Sequence, residues 1–177
     1  MIKKFLFLDI DGVLNHEDWF KKAYKDNITF AQFWYDPECV KRVCEIVERT
    51  NCLIVVSSSH RLDKNIGNIF KEVGLPNIYG ITPVLWRLGR GEEIKAYMSE
   101  HNRKFSCDSV YCILDDNNDI LEEQKPYFIR TAWDWNDEEQ ALINGGLGLT
   151  ESVKERAIKI LNRCNSLTSK KIENKCS

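Results

Sequence analysis

Two carboxylates separated by one residue and followed by glycine, Asp9-Ile10-Asp11-Gly12, close the short apolar run Phe5 to Ile10. A second acidic group, Asp115-Asp116 with Asp119 close behind, follows the run Val110 to Leu114. A third run, Leu53 to Val56, ends in Ser57-Ser58-Ser59-His60-Arg61. Runs of this length and composition read as buried strands of a parallel sheet, and ligands of open α/β sheets gather at the carboxyl ends of the strands. Acids at the ends of two buried strands crowd into one crevice, where their repulsion is costly unless a cation lies between them. Oxygen donors with no His or Cys cluster beside them favour Mg²⁺.

The elements that position these residues follow from periodicity and capping. Asp36 is a helix cap with Pro37 in the first turn, and Val40, Val43, Cys44 and Val47 repeat at helical spacing behind it. Leu62, Ile66, Ile69, Phe70 and Val73 form another stripe, stopped by Gly74 and Pro76. A further helix runs from about Gly91 to about His101, and a last one starts behind Thr150 with Val153, Ala157, Ile160, Leu161 and Cys164 on one face. Strands alternating with helices predict an open parallel α/β sheet. Residues 16–35 and 133–149 have no clean period, and the last dozen residues read as a frayed tail.

At 177 residues the chain is sized for one domain, taken as residues 1–165 with a tail at 166–177. Its 25 basic residues are balanced by 27 acidic ones, so no global positive field draws it to nucleic acid or an anionic membrane. The apolar run after Lys3-Lys4 is far too short for a signal-peptide core or a membrane span, which predicts a cytoplasmic protein. Seven cysteines, an odd number without zinc-ribbon spacing, predict free thiols used as small core residues. Nothing in the sequence points to an obligate protein partner.

FLFLDIDGVLN, VVSSSHR, Arg90-Gly91-Glu92-Glu93-Ile94 and CILDD together, in this order, resemble the motifs of the haloacid dehalogenase (HAD) superfamily. The closest variant is the small HAD-like family with DxDGVLN, SSxWR, RGxEI and LDD signatures, found also in composite RNA-repair proteins. The resemblance covers roughly residues 3 to 162. It implies a Rossmann-like three-layer sandwich with a minimal flap at 16–35, and a phosphatase that passes through an aspartyl phosphate. Asp9 would be the nucleophile and Asp11 the general acid and base, with Gly12 allowing the sharp turn. Ser57 and Ser58 would bind the phosphoryl oxygens, Arg90 would neutralise their charge, and Arg61 would contact the substrate. Mg²⁺ would be held by Asp9, by the backbone carbonyl of Asp11 and by Asp115 or Asp116, with Asp119 a further candidate. His60 departs from the pattern, which often has Trp there.

Each motif also has a plainer reading. Asp-x-Asp-Gly occurs in ordinary turns, Ser57 to Ser59 could serve only as a helix cap, and Arg90 has Arg87 as a rival. The aromatic residues Trp19, Phe30, Phe33, Trp34 and Tyr35 could pack together or stack on a nucleobase. The expected substrate is a phosphomonoester: a nucleotide, a small metabolite or a nucleic-acid end. A phosphate-binding module without turnover and a phosphotransferase are the alternatives.

Overall fold

The computed structural model describes residues 2–28, 33–105 and 109–163. The expected tail, together with Cys107, Cys164, Cys176 and Phe30, lies outside the described residues.

Five strands, β1 (Lys3–Leu8), β2 (Leu53–Val56), β3 (Ile78–Ile81), β4 (Ser109–Asp115) and β5 (Phe128–Arg130), form one parallel sheet in the order β3-β2-β1-β4-β5. The chain is therefore an α/β protein of the expected Rossmann-like kind. Successive side chains of a strand point to opposite faces, and β1 splits its apolar residues accordingly. Leu6 and Leu8 join a core with Ile54, Val56 and Leu114 under helices α2 (Pro37–Thr50), α3 (Ile66–Glu72) and α6 (Glu151–Asn162). Phe5 and Phe7 face the other way, against Ile94 and Met98 of α4 (Arg90–Phe105). Helices on both faces make the three layers.

The helix starts are chemically specified. The Asp36 carboxylate accepts from the Glu38 N–H with Pro37 in the first turn of α2, and the Thr150 hydroxyl accepts from the Val153 N–H of α6. Two differences from the sequence reading have local causes. The strands β3 and β5 were not expected: they are sheet edges of four and three residues, and β3 alternates half-buried with exposed positions instead of forming an apolar run. Leu62 was placed on the α3 stripe, but it belongs to a preceding 3₁₀ turn, Ser59–Leu62, and is exposed.

The two segments without a clean period contain short helices. Residues 16–35 carry α1 (Glu17–Lys25), and 133–149 carry a 3₁₀ turn and α5 (Glu138–Asn144), which ends on the left-handed Gly145. His16 anchors the first of these: its Nδ1 accepts from the Trp19 N–H and its Nε2 lies 3.0 Å from Asp36.

Register sets the site. Leu8 pairs with Val56 on one side and with Leu114 on the other, so the next residues, Asp9, Ser57 and Asp115, leave the sheet level with each other. The ladder continues one step further, with the Ser57 N–H donating to the Leu8 carbonyl and the Asp9 N–H to the Leu114 carbonyl, both at 3.0 Å.

Candidate active site

Asp9, Asp115 and Asp116 each present a carboxylate oxygen within 4.8 Å of the other two. Asp9 and Asp115 are buried and Asp116 is partly so. Burial, reinforced by the charge of Asp9, pushes Asp115 up to about 7 and Asp116 up to about 6. Arg90 reaches into this group, its Nη1 lying 3.4 Å from both Asp9 and Asp115 and also bonding the Ser57 carbonyl. Asp115 Oδ2 and the hydroxyl of Ser57 are buried without a hydrogen-bond partner among the described residues. Buried polar atoms of this kind call for a bound group to satisfy them.

This donor set fits a small hard dication. An octahedral Mg²⁺ with bonds near 2.1 Å spaces its ligand oxygens about 2.9 to 4.2 Å apart, and three carboxylates within 4.8 Å need little adjustment to meet that. Asp119 is outside the group. Its carboxylate accepts from the Arg90 N–H at 3.1 Å and its carbonyl from the Gly91 N–H at 3.0 Å, which caps α4 and fixes where Arg90 enters the site.

Asp11 stands on the turn beyond β1, half exposed at the mouth. Asn15 Nδ2 donates to its Oδ1 at 3.0 Å, and His60 Nε2 lies 3.0 Å from its Oδ2. Asn15 also accepts from the Gly12 N–H and donates to the Trp34 carbonyl, joining the turn to the aromatic segment. Gly12 has φ +70°, and a Cβ there would lie 2.5 Å from Asp116. The glycine thus permits both the turn and the approach of the second acidic strand end.

The family comparison agrees with this arrangement. Residues 5–135 match the family described as the HAD domain in Swiss Army Knife RNA repair proteins. The chain belongs to this HAD family. Comparison with curated proteins and with solved structures finds no match. Membership places the chain in the HAD hydrolase superfamily, whose phosphatases generally use Mg²⁺, and the match contains every site residue named above.

Two of the residues expected at the substrate are tied into the protein's own hydrogen bonds. The Ser58 hydroxyl is buried and accepts from the His60 N–H, capping the 3₁₀ turn. Arg61 is fully engaged by the protein: its guanidinium contacts both Glu93 oxygens at 2.7 Å and donates to the carbonyls of Ser57, Ser58, Thr82 and Pro83. All five of its N–H groups are thereby used, so Arg61 ties the end of β2 to α4 and leaves no donor for a phosphate. Glu93 was not singled out, although it is the acid of the RGxEI signature.

Asn15 and His60 were likewise given no role from sequence. His60 was noted only as a departure, and Asn15 is the last residue of DxDGVLN. A second cluster, His16, Asp36 and Cys39, has metal-ligand residue types but a different use. Because His16 Nδ1 accepts from Trp19, the ring proton sits on Nε2 and is donated to Asp36. Burial pushes the Cys39 thiol up to about 12.

Proposed function

We propose that the protein is a Mg²⁺-dependent phosphatase that hydrolyses a phosphomonoester through a phosphorylated Asp9. The observation that carries this reading is the convergence of Asp9, Asp115, Asp116 and Arg90 on one crevice at the strand ends. Asp9 attacks phosphorus while Asp11, held at the mouth by Asn15 and His60, protonates the leaving oxygen. The unpartnered Ser57 hydroxyl donates to a phosphoryl oxygen, and Arg90 balances charge on the transferring group. Asp11 then takes a proton from the water that attacks the aspartyl phosphate.

Asp9, Asp115, Asp116 and the Asp11 carbonyl are the groups that would hold Mg²⁺, which supplies charge neutralisation for the acids and the phosphoryl oxygens. The substrate is a phosphorylated nucleotide, metabolite or nucleic-acid end. A cytoplasmic setting is part of the proposal and is supported by the free thiols of Cys39, Cys44, Cys52 and Cys112. Among the described residues no helix is long and apolar enough to cross a membrane.

Phosphate release from p-nitrophenyl phosphate, with and without Mg²⁺, tests the reading. Wild type turns over only with the metal, Asp9→Asn is inactive, and Asp116→Asn needs more Mg²⁺. Metal-independent turnover would sink the metal assignment, and undiminished activity of Asp9→Asn the nucleophile.

A further inference from the structure

A cavity of about 550 Å³ opens beside the acid that would protonate the leaving group. His60 lines it, and its Nε2 lies 3.0 Å from Asp11 Oδ2. One wall is aromatic: Trp34, 41% exposed, and Tyr35, which is buried. Trp34 is held on edge by T-shaped contacts with Phe20 and Phe33, and its carbonyl is fixed by Asn15. Asn65 and Asn68 add amide side chains to the lining.

The charge of the lining is as informative as its shape. Among the described residues, the formally charged ones that line the cavity are Asp63 and Glu72, with no lysine or arginine beside them. Burial of the Tyr35 phenol, with the charges of Asp11 and Asp63 added, raises it to about 12, so it stays neutral. Polynucleotide chains are bound by neutralising successive phosphates with basic side chains, and an acidic wall repels them. A single uncharged ring system suits the same surface, since a base can stack on an aromatic face while amides satisfy its edge. The volume is within the range of small-molecule sites.

We propose that this cavity receives the leaving group and that the leaving group is a nucleoside, making the substrate a nucleoside monophosphate and not the phosphorylated end of a polynucleotide. The inference rests on the phosphatase reading and narrows it. In the transfer step the bond from phosphorus to Asp9 forms and the bond from phosphorus to the nucleoside oxygen breaks. Asp11 gives its proton to that oxygen, and a neutral nucleoside is left beside His60 and Trp34. Water then attacks the phosphorus, its proton passes to Asp11, the bond from phosphorus to Asp9 breaks, and inorganic phosphate departs.

The experiment compares kcat/KM, with Mg²⁺ present, for acetyl phosphate, the common ribonucleoside 5′- and 3′-monophosphates, and short RNA oligonucleotides carrying one terminal phosphate. Nucleoside monophosphates exceed the oligonucleotides, whose further phosphates meet the charges of Asp63 and Glu72. Trp34→Ala loses roughly tenfold more on nucleoside monophosphates than on acetyl phosphate, which has no ring to stack, and Trp34→Phe restores most of that loss. Glu72→Lys raises the rate on oligonucleotide ends, more so at low salt. Oligonucleotides hydrolysed as well as the monomers, or a Trp34→Ala loss equal on both small substrates, overturns the assignment.

If not even acetyl phosphate is hydrolysed, it is the phosphatase reading that fails. The cavity is then judged by saturation-transfer NMR with free nucleosides. Base-proton signals in wild type that vanish in Trp34→Ala uphold the site, and their absence in wild type rejects it.

Discussion

His60 Nε2 lies 3.0 Å from Oδ2 of Asp11, at the point where this chain departs from the aromatic residue often found in its family. With Asn15 on the other oxygen, both oxygens of the carboxylate are engaged, which fixes its plane at the mouth of the site. An exposed carboxylate without such contacts samples several rotamers, and proton transfer needs one of them.

Removing the His60 contact should therefore slow turnover more than it weakens binding. His60→Ala lowers kcat by roughly tenfold, the equivalent of one ordinary hydrogen bond of about 1 to 1.5 kcal/mol, with little change in thermal stability. His60→Gln, which can place an amide N–H near the Nε2 position, recovers part of the loss. Steady-state kinetics on p-nitrophenyl phosphate distinguishes this from a packing role, in which Ala and Gln would behave alike.

The pair of Arg61 and Glu93 predicts a different phenotype. Both side chains are at least nine-tenths buried, and truncating one member leaves the other charge without its partner. The cost of that is about 3 to 5 kcal/mol. Glu93→Gln should lower Tm by roughly 6 to 20 °C in a chain of this size. Calorimetry of Glu93→Gln beside Arg61→Met checks it, and a shift within experimental scatter for both would mean that the pair holds nothing together.

The acidic crevice predicts a pH dependence. Burial and the charge of Asp9 raise Asp115 to about 7 and Asp116 to about 6, so the metal-free fold binds these protons more tightly than the unfolded chain does. Their contribution to stability is complete below the ordinary carboxylate range near 4 and is lost as pH rises through 6 to 7. Metal-free protein should lose Tm across that window, and Mg²⁺ should restore it with an effect that grows as pH rises. Asp115→Asn should flatten the metal-free profile. Thermal melts at several pH values with and without Mg²⁺ measure all three effects.

Gly12 gives the steric counterpart. Alanine there would carry a Cβ in the left-handed region, at a cost of about 1 to 2 kcal/mol, and would displace the Asp116 side chain from 2.5 Å away. Gly12→Ala should therefore weaken Mg²⁺ binding beyond its modest loss of stability. Metal titration by calorimetry on the folded variant separates the two.

The central half of this molecule was readable in its sequence because its constraints are local. β1, β2 and β4 are buried on both faces, so they appear as continuous apolar runs, and the acids that follow are placed by register alone. The edge strands β3 and β5 are too short and too mixed in pattern to stand out. Arg61 shows the other limit. A guanidinium held by the protein and one left for a ligand look alike in sequence, and what decides between them is Glu93, 32 positions away. His60 and Asn15 act through contacts to Asp11 that no periodicity announces. The aromatic segment shows the packing that was one of its two expected behaviours: Phe20 and Phe33 pack with Trp34, while Trp34 and Tyr35 also line a cavity.

The central claim is that Asp9 carries the phosphoryl group, and trapping that species tests it most directly. Wild type mixed with Mg²⁺ and a radiolabelled phosphomonoester, then quenched in acid, should retain label that maps to the peptide containing Asp9, and Asp9→Asn should retain none. Full turnover without protein-bound label, or label on any other residue, would contradict the account.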